Sequence, residues 1–95
     1  MSVVILGGNE CMVRQYKELC REYRYSAKVI SKMGGTLKGR VGNPDLLVLF
    51  TDTISHKMVK NALNETKGQD TVVRRCRSSS VAALRDVLET HAAGV

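Results

Sequence analysis

The chain has no tryptophan, one phenylalanine and three tyrosines among 95 residues. So few rings leave little surface on which unpaired bases can stack, which counts against single-stranded nucleic-acid binding. No apolar run approaches the ~20 residues that a membrane-spanning helix needs. Met1-Ser2 leads straight into an apolar strand pattern, with no basic stretch and no cleavage site, so no signal peptide is expected and the expected location is the cytoplasm. Cys11, Cys20 and Cys76 are an odd set without a Cys-x-x-Cys pair, which argues against a disulfide framework and a structural zinc site. They read as small apolar residues, buried or half-buried. A reactive thiol at Cys11 or Cys76 is the alternative. His56, His91 and the cysteines show no ligand spacing, so no metal is expected.

Several catalytic and nucleotide signatures are also missing. There is no Gly-x-Gly-x-x-Gly fingerprint and no phosphate loop ending in Gly-Lys-Ser/Thr, which excludes the standard dinucleotide and ATP sites. Ser55-His56 is not a hydrolase elbow, because Gly-x-Ser-x-Gly is absent. Neither Cys11 nor Cys76 has an arginine six positions on, so no phosphatase loop exists. An aspartate after the third strand also occurs in phosphoacceptor receiver domains. Those require an acidic pair after the first strand and a lysine after a fifth, whereas here only Glu10 is present and the fifth strand is missing.

What the chain does have is a repeated design. Val3-Val4-Ile5-Leu6 runs into Gly7-Gly8-Asn9-Glu10, and Leu46-Leu47-Val48-Leu49-Phe50 runs into Thr51-Asp52-Thr53-Ile54-Ser55-His56. Short apolar runs without polar interruption read as strands buried on both faces, hence a parallel sheet covered by helices. With 43% hydrophobic and 25% charged residues, the chain is expected to form one domain over residues 1–95.

The order reads strand–helix four times. A first strand is expected at Val3–Leu6. Helix one follows at about Cys11–Tyr23, capped by Asn9, with Met12, Val13, Tyr16, Leu19, Cys20 and Tyr23 facing the sheet. Its outer side carries Arg14, Lys17, Arg21 and Arg24, diluted by Glu18 and Glu22. This reads as a solvated face with i,i+4 pairs, or as a surface for an acidic partner. An edge strand at Ala27–Ser31, a Met33-Gly34-Gly35 turn and a short helix from Thr36 to Val41 come next. Gly42-Asn43-Pro44-Asp45 is a turn signal. Leu46–Phe50 is the most apolar run and so the central strand. The third helix is capped by Ser55, buries Met58, Val59, Ala62 and Leu63, and stops at Gly68 with Lys67 in its last turn. The last strand spans Thr71–Cys76. The last helix starts at Ser79 or Ser80 and ends near His91, with a fraying tail. Right-handed crossovers then give an α/β fold, a small doubly wound three-layer domain of Rossmann or flavodoxin-like kind. The expected strand order is 2-1-3-4.

In such sheets ligands bind beyond the carboxyl ends of the strands, where the strand order reverses. Gly7, Gly8, Asn9 and Glu10 are therefore candidate ligand-binding residues, their backbone N–H groups aimed at an anion. A tight turn that needs glycine for its geometry is the compatible alternative. Thr51-Asp52-Thr53-Ile54-Ser55-His56 is the densest polar cluster, and Thr51, Asp52, Ser55 and His56 are its candidate ligand-binding residues. Asp52, Ser55 and His56 are the catalytic candidates, with Asp52 orienting His56 as acid or base; a purely structural histidine is the alternative. Gly34 and Gly35, with Lys32, form a third lip. Arg77 and Ser79 close the set, since arginine supplies paired donors for phosphate or carboxylate. Fifteen Lys and Arg against nine Asp and Glu give a net charge of +6, which favours anionic partners.

Across nearly its whole length, from Val3 to about Leu88, the chain resembles the bacterial domain of unknown function (DUF) 2325 family. The resemblance rests on Gly7-Gly8, Tyr16, Gly34-Gly35, Asp45, Thr51-Asp52, Ile54-Ser55-His56, Lys60, Arg77 and Ser79. It implies a bacterial, cytoplasmic origin and adds weight to the strand-end loops. Larger members carry a similar domain after another module, which implies that a stand-alone copy works with a partner chain. The leading expectation is a binding or sensor-type domain for a phosphate- or carboxylate-bearing ligand. The alternatives are a small oligomeric enzyme using Asp52 and His56, and a basic module for nucleic acid or another partner. A homodimer is expected, because edge strands need protection. No cofactor is indicated.

Overall fold

In a computed structural model of the chain, residues 1–30 and 42–93 are described. The third lip at Lys32, Gly34 and Gly35 and the short helix expected after it lie outside these residues. Strands β1 (Ser2–Leu6), β2 (Ser26–Ile30), β3 (Leu46–Phe50) and β4 (Val72–Cys76) form one parallel sheet in the order β2-β1-β3-β4. Helices α1 (Val13–Glu22) and α3 (Val81–Ala93) cover one face, and α2 (His56–Glu65) covers the other. The architecture is the small doubly wound α/β domain expected from the apolar runs.

Central placement follows from composition. All five residues of β3 are completely buried. Val3, Ile5, Leu46, Val48 and Phe50 face Tyr16, Leu19 and Cys20 of α1 and Leu84 and Leu88 of α3. Val4, Leu6, Leu47 and Leu49 face Val59 and Ala62 of α2. The outer strands are mixed. In β2, Ala27 and Val29 pack against the α1 side while Lys28 turns to the other face and is exposed. Across the register, Val29, Ile5, Val48 and Arg74 form one row, and Ile30, Leu6, Leu49 and Arg75 the next. Both rows begin apolar and end on arginine at the β4 edge.

Three element ends differ from the sequence pattern. A 3₁₀ turn at Glu10–Met12 precedes α1, because Asn9 Oδ1 accepts the Cys11 N–H at 2.9 Å and tightens the entry. Helix α2 stops at Glu65, short of Gly68. The Thr66 hydroxyl donates to the Ala62 and Leu63 carbonyls, both at 3.2 Å, and closes the last turn. Lys67 therefore lies outside that turn, and Gly68 takes φ 83° in the following one. Helix α3 continues through Ala93, past the expected end near His91. His91 is only 8% exposed and sets its ring edge-on to Tyr25, with centroids 6.0 Å apart. Among the described residues its Nε2 has no hydrogen-bond partner.

Two substitutions should move stability in opposite directions. Leu47→Ala opens a cavity in a strand buried on both faces and should cost about 2–5 kcal/mol. His91→Leu removes an unsatisfied buried nitrogen while keeping most of the volume, and should leave stability unchanged or raise it by about 1 kcal/mol. Urea denaturation with an unchanged slope checks both.

Candidate functional site

The strand-end turns after β1, β3 and β4 meet on one rim and are tied together by side chains. Gly7 and Gly8 have φ of 87° and 91°, a region that L side chains rarely enter. A Cβ on Gly7 would come within 2.6 Å of Thr53 Oγ1 and 2.7 Å of Ile54 Cγ2. One on Gly8 would meet the Tyr16 ring at 2.9 Å. The glycines thus let the first turn press against the third strand's turn and against α1. The Gly8 N–H donates to Thr53 Oγ1 at 2.7 Å, and that hydroxyl donates on to the Phe50 carbonyl at 3.1 Å.

A second set of bonds reaches the β4 turn. Asp52 accepts from the Ser79 hydroxyl at 2.7 Å and from the Ser79 N–H at 3.2 Å. Tyr16, whose ring is fully buried beside Phe50, places its hydroxyl between two turns. It accepts the Asn9 N–H at 3.2 Å and donates to the Ser79 carbonyl. The Thr51 hydroxyl donates to the Cys76 carbonyl at 3.1 Å. Tyr16 is the rim residue that the sequence reading placed only on a sheet-facing helix stripe, and Thr53 stood in the polar cluster without being named as a binding residue. The available signal was a phenol on an otherwise apolar helix face, since a buried tyrosine needs a partner for its hydroxyl.

These bonds leave fewer free groups than the loop composition suggested. The Gly8 and Asn9 N–H groups already have acceptors, and so cannot reach an anion without giving them up. Asp52 is engaged by Ser79 and forms no hydrogen bond with His56. Ser55 caps α2, accepting the Met58 N–H at 3.3 Å. His56, Glu10 and Arg77 are exposed, and among the described residues none of their three side chains has a hydrogen-bonded or ionic partner. The first-turn N–H groups of His56 and Lys57 at the start of α2 are likewise without acceptors, as at any helix beginning.

Beside that helix start lies a groove of about 260 Å³ between α2 and β4, lined by His56, Val59, Lys60, Leu63 and Arg75. Its floor is apolar, its other lining side chains are a histidine, a lysine and an arginine, and among the described residues no acidic one lines it. A larger hollow of about 600 Å³ follows the outer side of α1, lined by Glu10, Cys11, Val13, Arg14, Lys17, Glu18 and Arg21. There the charges are mixed, and Arg14 is already paired with Glu18 at 3.2 Å. The smaller groove is therefore the one whose described lining sets no carboxylate against its basic groups.

The three thiols separate. Burial pushes Cys20 up to about 11. Burial, then the charges of Asp86 and Asp52, also raises Cys76, whose side chain faces the α1–α3 core and is not a poised nucleophile. Cys11 lies exposed on the 3₁₀ turn rather than buried or half-buried, because that turn rotates it away from the sheet. Among the described residues no cluster of three or more His, Cys, Asp or Glu could hold a metal, and no helix is long and apolar enough to cross a membrane.

A parallel sheet with helices on both faces and a side-chain-tied rim at its carboxyl end defines a small Rossmann-like α/β domain. Residues 2–91 match the family described as an uncharacterized protein conserved in bacteria (DUF2325), and the chain belongs to that family. No curated protein and no solved structure matches it.

Gly7→Ala and Gly8→Ala should each cost about 2–4 kcal/mol, combining left-handed backbone strain with overpacking, as read by thermal or urea unfolding. A titration of stability should show Cys20 as well. The unfolded thiol ionises near 9.0 and the folded one near about 11, so its contribution is intact below pH 9 and declines as pH rises across that interval. In the native protein at neutral pH, a maleimide reagent should label Cys11 and spare Cys20 and Cys76.

Proposed function

We propose that this protein is a small binding or sensor-type domain for an anionic, phosphate- or carboxylate-bearing ligand at the carboxyl-end rim of its sheet. The observation that carries this reading is the groove at the start of α2. There His56, Lys60 and Arg75 surround an apolar floor with no acidic lining residue among the described ones. The unpaired first-turn N–H groups of α2 add partial positive charge at the same end. Arg77 on the neighbouring turn supplies a further exposed guanidinium. The net charge of +6 would draw such a ligand from a distance.

The rim turns support the reading indirectly. Their polar side chains hold one another, so the start of α2 is presented on a pre-organised edge, and little ordering is needed on binding. Catalysis is less well supported, because Asp52 bonds to Ser79 and not to His56. We place the domain in the cytoplasm of a bacterial cell, in keeping with three free cysteines. We also propose that it works as a homodimer, in which a second copy walls an otherwise shallow site.

A thermal-shift panel of inorganic phosphate, phosphorylated metabolites, nucleotides and small carboxylates tests the ligand. A binder present at ~100-fold above its Kd should stabilise the fold by about 2.7 kcal/mol. Lys60→Ala with Arg75→Ala should abolish that shift, and Ser55→Ala with His56→Ala should reduce it. If no anion raises the midpoint, the reading is wrong.

A further inference from the structure

We infer that the outer edge of β4 takes up an extended acidic segment of a partner protein as an added strand. Its carboxylates would be received by Arg74 on one face of the sheet and by the Arg75 groove on the other. The inference deepens the anion-binding reading and rests on it.

The backbone provides the first argument. The Val72 N–H donates to the Asp45 carbonyl and the Cys76 carbonyl accepts from Thr51, so Val72, Arg74 and Cys76 turn their main-chain groups toward β3. The alternation of a strand then points the N–H and C=O of Val73 and Arg75 off the sheet. In the sheet order β2-β1-β3-β4, no described strand lies beyond β4 to receive them. This is the arrangement that strand addition uses: main-chain bonds give affinity, and pockets for alternate side chains give specificity.

The side chains specify the occupant. Residues 72–80 contain three arginines and no acidic residue. Arg74 and Arg75 are exposed on opposite faces, at the ends of the two cross-strand rows. On the α2 side, Val59 and Leu63 line the same groove as Lys60 and Arg75. An added strand would therefore place an apolar side chain beside Val73 and an acidic one beside Arg75. On the other face it would set a second acidic residue against Arg74. A second copy of β4 fits poorly. Two such strands paired about Arg74 or Arg75 would bring arginine against arginine, and directly opposed like charges destabilise a sheet.

The test uses the full chain and a short capped peptide containing a Val-Glu-Glu run, which matches Val73, Arg74 and Arg75 in turn, with a Val-Lys-Lys peptide as control. Amide hydrogen exchange by NMR is the readout. The acidic peptide should slow exchange at Val73 and Arg75, and the basic one should not. Arg75→Glu should weaken binding about tenfold. Val73→Pro, a change that an edge strand tolerates on its solvent side, should abolish the protection. Binding without protection of these two amides, or binding that survives Val73→Pro, would overturn strand addition in favour of simple charge attraction. Protection of the same amides in the free chain at high concentration would overturn it in favour of self-pairing. Absence of binding would mean that the arginines only guard the edge. Phosphate and pyrophosphate thermal shifts run in parallel separate the two levels. If they persist while the peptide fails, this inference falls alone; if they fail too, the anion-binding reading falls with it.

Discussion

The hydrogen bond from the Gly8 N–H to Thr53 Oγ1 holds the rim of this domain together. It forms only because two successive glycines adopt positive φ and let the β1 turn come against the β3 turn without side chains in between. Around it the other contacts fall into place. The Thr53 hydroxyl in turn donates a hydrogen bond to the Phe50 carbonyl, and the Tyr16 ring packs tilted against Phe50 while its hydroxyl joins Asn9 to Ser79. Asp52 then holds Ser79 from the other side. Three turns that are far apart in the chain become one surface, anchored to the core through a buried ring.

That construction changes what the rim can do. Polar residues at strand ends invite a catalytic interpretation, but here most of them satisfy one another. An engaged aspartate is a strut, and an N–H with an acceptor is not an anion site. Apart from Glu10, the unengaged charged groups of the rim lie to one side, at the start of α2 and along β4. His56, Lys60 and Arg75 share a groove there, and Arg74 and Arg77 stand exposed nearby. Lys60, Arg74, Arg75 and Arg77 thus lie along a sheet edge beyond which no described strand pairs. Recognition at such an edge would draw on backbone bonding and charge together.

Most of the fold was legible because burial on both faces leaves a plain trace. Val3–Leu6 and Leu46–Phe50 have no polar interruption, so their central positions and parallel pairing followed directly, and β3 matched its expected limits residue for residue. The helix stripes were equally clear at Tyr16, Leu19 and Cys20 and at Val59 and Ala62. Element ends were less clear, because they depend on single side-chain bonds. Thr66 closes α2 early, and His91 holds α3 down by packing against Tyr25, a residue from a distant part of the chain. Of the site, the sequence marked the right turns but not their partners. Asp52 next to His56 looked like a pair along the chain. In space, Asp52 meets Ser79, which lies 27 residues further on.

By itself, then, the sequence determined the secondary elements, their layering and the rim on which the polar turns would gather. Hydrophobic periodicity and glycine placement are local signals that survive without knowledge of the contacts. Only the tertiary structure decided which of those polar groups are engaged and which remain free. Hydrogen bonds such as Gly8–Thr53 and Asp52–Ser79 join residues with no fixed spacing, and they exist only once the strands have lined up side by side.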